Sequence, residues 1–311
     1  MKALVTGGSG FIGSHLVDAL IGEGHDVVAV DDLSSGSEAD LNAQARLYRV
    51  NITDFQALDH VFHVEKPAIV FHLAAQTSVR HSMADPSHDA RVNIIGSINT
   101  LRSSVTHGSL RMLFSSTCAV YSEPEYVPMD ESHPIRPQSA YGMAKHTVEN
   151  YIRLYSDIYG LKYKVFRYGN VYGPRQSPEG EAGVIAIFTG QMLSGARPTI
   201  FGNGTKTRDY VFVKDVVAAN IAAMNENGDD EIFNIASGIE VSDLEIFRGV
   251  REATGLDVEP NYSEKRPGEA DRIRMDCSKA KTMLAWQPTV SLHEGIHAVV
   301  AHNLSYYHHD K

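Results

Sequence analysis

Thr6-Gly7-Gly8-Ser9-Gly10-Phe11-Ile12-Gly13 follows the apolar run Ala3-Leu4-Val5 and precedes a stretch with helical periodicity. Strand, glycine turn and helix in that order decide the fold class. Glycines at 7, 10 and 13 let the backbone turn tightly, approach a pyrophosphate closely and pack the helix onto the strand. The helix N-terminus then presents unpaired N–H groups and the positive end of its dipole to the phosphates. The spacing is G-x-x-G-x-x-G rather than G-x-G-x-x-G, and glycines alone would also suit a plain turn. Context gives them weight: a strand before, a helix after, and an acidic residue at the end of the second strand.

Outward from this loop, residues 3–6, 26–30, 46–50, 68–73, 111–115 and 163–167 read as β-strands. Residues 11–21, 55–63, 89–106 and 140–159 read as helices between them. The alternation predicts an α/β fold, a Rossmann doubly wound parallel sheet with ligands beyond the carboxyl ends of its strands. After Asn170 the pattern turns irregular, with turn-rich stretches at 171–178, 201–204 and 266–268. Residues 1–170 are expected to form the dinucleotide-binding domain, with some later segments returning to it. Residues 171–311 are expected to be mainly a smaller, substrate-binding lobe. No low-complexity linker separates the two, and no internal repeat is present.

The 311 residues are 43% hydrophobic, enough for a sizeable core. Lys and Arg number 28 against 38 Asp and Glu, a net charge of −10, which argues against nucleic acid as a partner. A small phosphorylated ligand is compatible, because backbone N–H groups and a few arginines suffice to bind it. Cys118 and Cys277 are far apart, fit no zinc spacing and suit a reducing cytoplasm. The N-terminal apolar run is too short for a signal peptide, and no stretch approaches the roughly 20 apolar residues of a membrane helix. No metal site is expected. His72 ends a strand and is expected to pack or hydrogen-bond near a cofactor, whereas His302, His308 and His309 read as a solvated tail.

Asp31 is the first of the pair Asp31-Asp32 at the end of the second strand. A carboxylate there accepts from a ribose 2′-OH and repels a 2′-phosphate, so NAD is expected over NADP. No Arg or Lys lies between Gly13 and Asp40 to hold a 2′-phosphate. Tyr141-Gly142-Met143-Ala144-Lys145 places Tyr and Lys on one helical face. An ammonium beside a phenol favours the phenolate, which can then exchange a proton with a substrate hydroxyl near neutral pH. Y-x-x-x-K alone is usually structural. Here it opens a helix after Pro137-Gln138-Ser139, downstream of the glycine loop, and Ser115-Ser116-Thr117 ends the fifth strand. Thr117 can bridge the substrate hydroxyl and Tyr141.

These motifs resemble the extended short-chain dehydrogenase/reductase family, in particular its UDP-hexose 4-epimerase branch. The matching stretches run nearly end to end: 6–13, His72-Leu73-Ala74-Ala75-Gln76, Asn93-Ile94-Ile95-Gly96, 141–145, 167–175, Arg208-Asp209-Tyr210-Val211 and Arg266-Pro267-Gly268. The resemblance implies a catalytic triad of Thr117, Tyr141 and Lys145. It implies NAD contacts from Gly7, Gly10, Phe11, Ile12 and Gly13, from Asp31, Asp32, Asn51 and Ile52, and from Leu73, Ala74, Ala75, Asn93 and Tyr168, besides Tyr141 and Lys145. Asn51 stands where the family often has Asp, and its amide oxygen can accept the same bond from an adenine amine. Substrate contacts are implied for Thr117, Tyr141, Asn170, Val184, Phe201, Arg208, Arg266 and Ile273. The arginines suit a diphosphate, since guanidinium forks match phosphate oxygens.

The implied reaction involves no net redox: Tyr141 takes the 4-OH proton while hydride moves to NAD, and the 4-keto sugar receives the hydride back on its other face. Family dehydratases typically carry Asp-Glu after the threonine, and decarboxylating relatives a nearby glutamate. Here Thr117 is followed by Cys118-Ala119-Val120-Tyr121, without a carboxylate. Cys118 resembles the cysteine with which other family members epimerise GDP-sugars; the plainer reading is a buried small thiol. Ile273 matches a position where side-chain size limits N-acetyl groups. Isoleucine is intermediate, which favours UDP-glucose/UDP-galactose and leaves the N-acetyl forms open, with uronic acids as the alternative. Stretches 89–106 and 145–159 resemble the two helices through which family members pair, which implies a homodimer. A non-catalytic dinucleotide-binding regulator and a net reductase are the competing classes.

Overall fold

A computed structural model describes residues 1–121, 123–178, 183–265 and 270–307. The chain begins with β1 (Lys2–Thr6), α1 (Phe11–Gly22), β2 (Asp26–Asp31), β3 (Arg46–Arg49), α2 (Phe55–Glu65) and β4 (Ile69–His72). It continues through α3 (Val79–Ala84), α4 (Pro86–Ala90), α5 (Gly96–Thr106), β5 (Arg111–Thr117), α6 (Ala140–Tyr159) and β6 (Lys162–Tyr168). Then follow β7 (Asn170–Tyr172), α7 (Val184–Leu193), β8 (Thr199–Phe201), β9 (Thr207–Phe212), α8 (Val213–Ala222) and β10 (Glu231–Ile235). The chain ends with β11 (Glu240–Ser242), α9 (Asp243–Thr254), β12 (Asn261–Ser263), α10 (Ser278–Leu284) and α11 (Leu292–Tyr307).

Seven strands form one parallel sheet in the order β10-β6-β5-β4-β1-β2-β3. The strand cores are apolar on both faces, as a sheet covered by helices on each side requires. Leu16, Val17 and Leu20 of α1 and Val216 of α8 pack on one face with Val5 and Phe233. Leu58 and Phe62 of α2, Leu101 of α5, and Val148 and Ile152 of α6 pack on the other with Leu4 and Phe114. The order reverses between β1 and β4, the switch point beyond which such sheets bind ligands. A three-stranded sheet β11-β9-β7 and a pair β12-β8 form the rest, around a third core that includes Tyr172, Phe188, Phe247 and Ile296. Among the described residues, no helix is long and apolar enough to cross a membrane.

All six expected strands form, each within two residues of its expected ends. The seventh, β10, pairs with β6 from beyond residue 170 (Ile232 opposite Val165). Expected helix 89–106 is helical throughout but is interrupted by one π turn, Arg91–Ile95. The π turn accommodates an additional residue without ending the helix. There the Asn93 side chain is drawn to Gln76, and Ser97 Oγ donates to the Asn93 carbonyl at 2.5 Å.

Candidate active site

A cleft of about 900 Å³ opens at the carboxyl ends of the sheet strands. Its floor is the glycine loop. Gly7 has φ +71°, and a Cβ there would sit 2.7 Å from the Ala74 amide nitrogen. A Cβ on Gly13 would lie 1.9 Å from the Gly7 carbonyl oxygen. Only glycines let α1 start this close to β1. The first turn of α1 has neither an acidic residue nor a side-chain cap, and Phe11, Ile12 and Gly13 line the cleft. This cradle of backbone N–H groups fits a pyrophosphate.

The Asp31 carboxylate is fixed at the rim: Oδ2 accepts from Ser9 N and Oδ1 from Leu33 N, both at 2.9 Å. Asp32, Asn51 and Ile52 line the cleft beyond it, and Leu73, Ala74 and Ala75 form the facing wall with Tyr168 and Asn170. Two of the expected cofactor residues are engaged by the protein's own groups. Asn51 lines the cleft, and its Oδ1 accepts from both Thr53 N (2.9 Å) and Thr53 Oγ1 (2.7 Å). Its Nδ2 donates to Asp32 Oδ2 at 2.7 Å. Asn93 stands behind the wall, 2% exposed, with Oδ1 accepting from Gln76 N and Nδ2 donating to Gln76 O and Asp89. It shapes the wall and does not line the cleft.

Ser139 caps α6 by accepting from Gly142 N, which presents Tyr141 and Lys145 at the helix start, beside the end of β5. Lys145 Nζ donates to the Ser115 carbonyl at 2.8 Å and lies 4.8 Å from the Phe114 ring centroid and 5.9 Å from that of Tyr141. Burial lowers the Lys145 ammonium to about 8, against the pull of Asp89 and Glu149. Burial also pushes the Tyr141 phenol up, opposed by a hydrogen bond with the Thr117 hydroxyl. The lowered phenol anticipated from the Tyr-Lys spacing is therefore not produced by these protein groups alone. The lysine head is aimed at a β5 carbonyl, and burial dominates the phenol. His72 is fully buried between Thr6 Oγ1 (2.7 Å) and Ser97 Oγ (2.8 Å), its imidazole held neutral by burial at about 3.

One turn beyond Lys145, Glu149 is sealed behind the site. Arg167 Nη2 and Nε donate to it at 2.6 and 3.0 Å, and Ser116 Oγ at 2.6 Å. Burial would raise this carboxyl, but bonds from His146, Arg167 and Ser116, with the Arg167 charge, hold it at about 2. The sign follows: the pair contributes stability above the ordinary value of 4.5 and loses it as pH falls through about 2. Glu149→Gln leaves the Arg167 guanidinium buried and unpaired, and is expected to cost about 3–5 kcal/mol in urea unfolding at neutral pH. A cost below about 1 kcal/mol would contradict this account.

Of the expected substrate residues, Tyr141 and Asn170 line the cleft, whereas Thr117, Arg208 and Ile273 are not part of its lining. Arg208 is half-buried, with Nη1 donating to the carbonyls of Thr207 (2.7 Å) and Ala270 (2.8 Å), and its charge acts on Cys118. Ile273 is packed with Val120 and Tyr121, in the cluster that also takes Cys118. Val184 opens α7 beside Gly183, a cleft residue, and Phe201 ends β8. Neither of these two lines the cleft. Arg266 lies outside the described residues, as do His308 and His309. Cys118 and Cys277 are both free thiols, and burial pushes that of Cys118 up to about 11, as expected of an inert packed thiol.

Sequence reasoning missed several groups. Arg175, paired with Asp18 at 2.8 Å, lines the cleft with Gln176, Ser177 and Pro178. His302 and Asn303 also line it, because α11 runs back to the cleft mouth; His302 is therefore not part of a solvated tail. The spacing of Leu292, Ile296, Val299 and Val300 on one helical face was the available signal. His293, Glu294 and His297 also have the H-E-x-x-H spacing of metal-binding helices, which the sequence reading misses. Here Glu294 accepts from Ser291 N and Oγ at the start of α11. Among the described residues, no group of three or more candidate ligands could hold a metal ion.

Known proteins agree with this geometry. Residues 3–236 match the NAD dependent epimerase/dehydratase family. A UDP-glucose 4-epimerase of Mycolicibacterium smegmatis is 41% identical, over 95% of this chain and 96% of its own length. The crystal structure of a Thermotoga maritima UDP-glucose 4-epimerase with UDP-glucose superposes with TM-score 0.96 at 47% identity, covering 99% of this chain and 100% of that one. A Thermus thermophilus UDP-glucose 4-epimerase in complex with NAD gives TM-score 0.91 at 38% identity, covering 97% and 98%. With the glycine loop, the rim carboxylate, Tyr141 and Lys145 in one cleft, the chain belongs to the NAD dependent epimerase/dehydratase family, whose cofactor is NAD.

Proposed function

We propose that the chain is a UDP-hexose 4-epimerase that interconverts UDP-glucose and UDP-galactose on retained NAD. The observation that carries this reading is the constellation of Thr117, Tyr141 and Lys145 at the end of β5, followed by a thiol rather than a carboxylate. The glycine loop and Asp31 would hold NAD, which would supply a reversible hydride acceptor for C4. Tyr141 removes the proton of the 4-hydroxyl and later restores it. Thr117, bonded to the phenol, aligns that hydroxyl, and the Lys145 ammonium favours the phenolate. Removing protons at C5 or C6 needs a further acid or base beside Thr117; Cys118, with its thiol pushed up to about 11, is a poor one. Asn170, Arg208 and Arg266, with Val184, Phe201 and Ile273, are assigned to the nucleotide-sugar. In this assignment residues 171–311 mainly hold the substrate and 1–170 the cofactor.

Pairing into a homodimer is part of this proposal. Met143, Leu154 and Ile158 of α6 are 47–59% exposed and fall on one helical stripe, with Ile95 48% exposed nearby in sequence to α5. Two free cysteines suit a cytoplasmic enzyme.

The test is to mix purified protein with UDP-galactose, adding no NAD, and follow the anomeric proton signals by NMR. A stable UDP-glucose/UDP-galactose mixture is expected. No conversion, even with NAD added and with N-acetyl and uronic substrates tried, overturns the proposal. Stoichiometric NADH consumption would instead identify a reductase.

A further inference from the structure

Asp89 on α4 is 1% exposed and has no part in the steps assigned to Thr117, Tyr141 and Lys145. Its Oδ1 accepts from Gln76 Nε2 at 2.8 Å and from Asn93 Nδ2 at 2.9 Å. Its Oδ2 is buried with no hydrogen-bond partner among the described residues. A buried carboxylate with one bare oxygen is costly unless a nearby charge compensates it. Neutral amides hold one end of this group, and α4 packs against α6, the helix of Tyr141 and Lys145.

Two carboxylates act on Lys145, Asp89 and Glu149. Glu149 is already neutralised by Arg167. Asp89 has no such partner. Of the other titratable groups around the pair, only His88, next to Asp89 on α4, favours either charge, that of Asp89. His72 from β4 is neutral, Tyr141 from α6 is held as the phenol, and His88 on α4 acts only on Asp89. We propose that Asp89 is the counter-charge of the Lys145 ammonium, a positioning residue that supports the buried positive charge across the α4–α6 packing. Gln76 and Asn93 occupy Oδ1, which leaves Oδ2 as the oxygen for that task. The coupling is mutual: burial lowers Lys145 while Asp89 raises it, and burial raises Asp89 while Lys145 lowers it. The inference rests on the reading of Tyr141 and Lys145 as the proton-handling pair.

The test is a direct titration of the whole chain, labelled with 15N at the lysine side chains. The Lys145 Nζ signal is assigned by its loss in Lys145→Met. In Asp89→Asn its midpoint is expected to fall by about one pH unit or more relative to the natural chain. Gln76→Met removes a donor to Oδ1 but keeps the charge, and is expected to leave the midpoint close to the natural value. Should Asp89→Asn not fold, Asp89→Ser carries the same expectation, since it removes the charge and admits water. An unchanged midpoint in the charge-removing variant, or an equal fall in Gln76→Met, overturns the proposal. The titration needs no turnover, so a failure of the epimerase assay leaves it readable, and the two readings fail separately.

Discussion

Tyr141→Phe is expected to lower kcat for UDP-galactose conversion by about 10³-fold while leaving the fold and the retained NAD in place. The change deletes one oxygen and keeps the ring that lines the cleft. What disappears is the group that exchanges a proton with the sugar hydroxyl, because Thr117 bonds to that same oxygen and Lys145 bears no contact of its own to replace it. Positioned proton transfer contributes about 10²–10⁴ to rate, whereas one lost hydrogen bond costs only about 1 kcal/mol of stability. NMR turnover rates, Tm and NAD content of the purified variant separate the two effects. A kcat within tenfold of the natural chain would remove Tyr141 from the chemistry.

Gly13→Ala is expected to abolish NAD retention and to destabilise the chain by about 3 kcal/mol. Its Cβ would meet the Gly7 carbonyl oxygen at 1.9 Å, the Gly7 carbonyl carbon at 2.8 Å and the Gly8 Cα at 3.0 Å. All three are backbone atoms of the loop, so no side chain can swing away. Relief requires α1 to shift from β1, which moves the N–H groups of its first turn from the phosphates. Gly10→Ala is the control: its Cβ would come no closer than 3.2 Å to the Gly7 oxygen, so a milder loss is expected. Absorbance of released cofactor after denaturation measures retention. A Gly13→Ala chain that keeps a full complement of NAD would refute the packing argument.

The parts of the molecule legible in the sequence are those set by neighbours along the chain. Short strand-like runs alternating with helical stretches gave β1 to β6, and the Gly7–Gly13 loop with Tyr141 and Lys145 located the cleft. What escaped depends on what lies across the fold. That Asn51 Oδ1 is engaged by Thr53, two residues on, is not visible in the sequence. The Tyr141 phenol was expected low from a spacing; its burial, which raises it, has no local signature. His302 looked like tail because only packing shows where a long helix ends. Nothing local marks Asp89, since exposure and partners are tertiary facts.

The path of β10 has a bearing on synthesis. The chain leaves the large sheet at Tyr168 and comes back only at Glu231, so β6 waits for its outer neighbour until a whole second set of elements has emerged. A nascent chain halted near residue 170 would present the β6 edge with its amides and carbonyls open, a template for pairing with other chains. The same return supplies Asn234, which accepts from the Tyr121 hydroxyl beside Arg167. Vectorial folding therefore cannot finish the cofactor half first and add the remainder afterwards. A gene fragment cut at that apparent boundary should give aggregate rather than a soluble dinucleotide binder, and ribosome-bound intermediates of that length are natural clients for a chaperone.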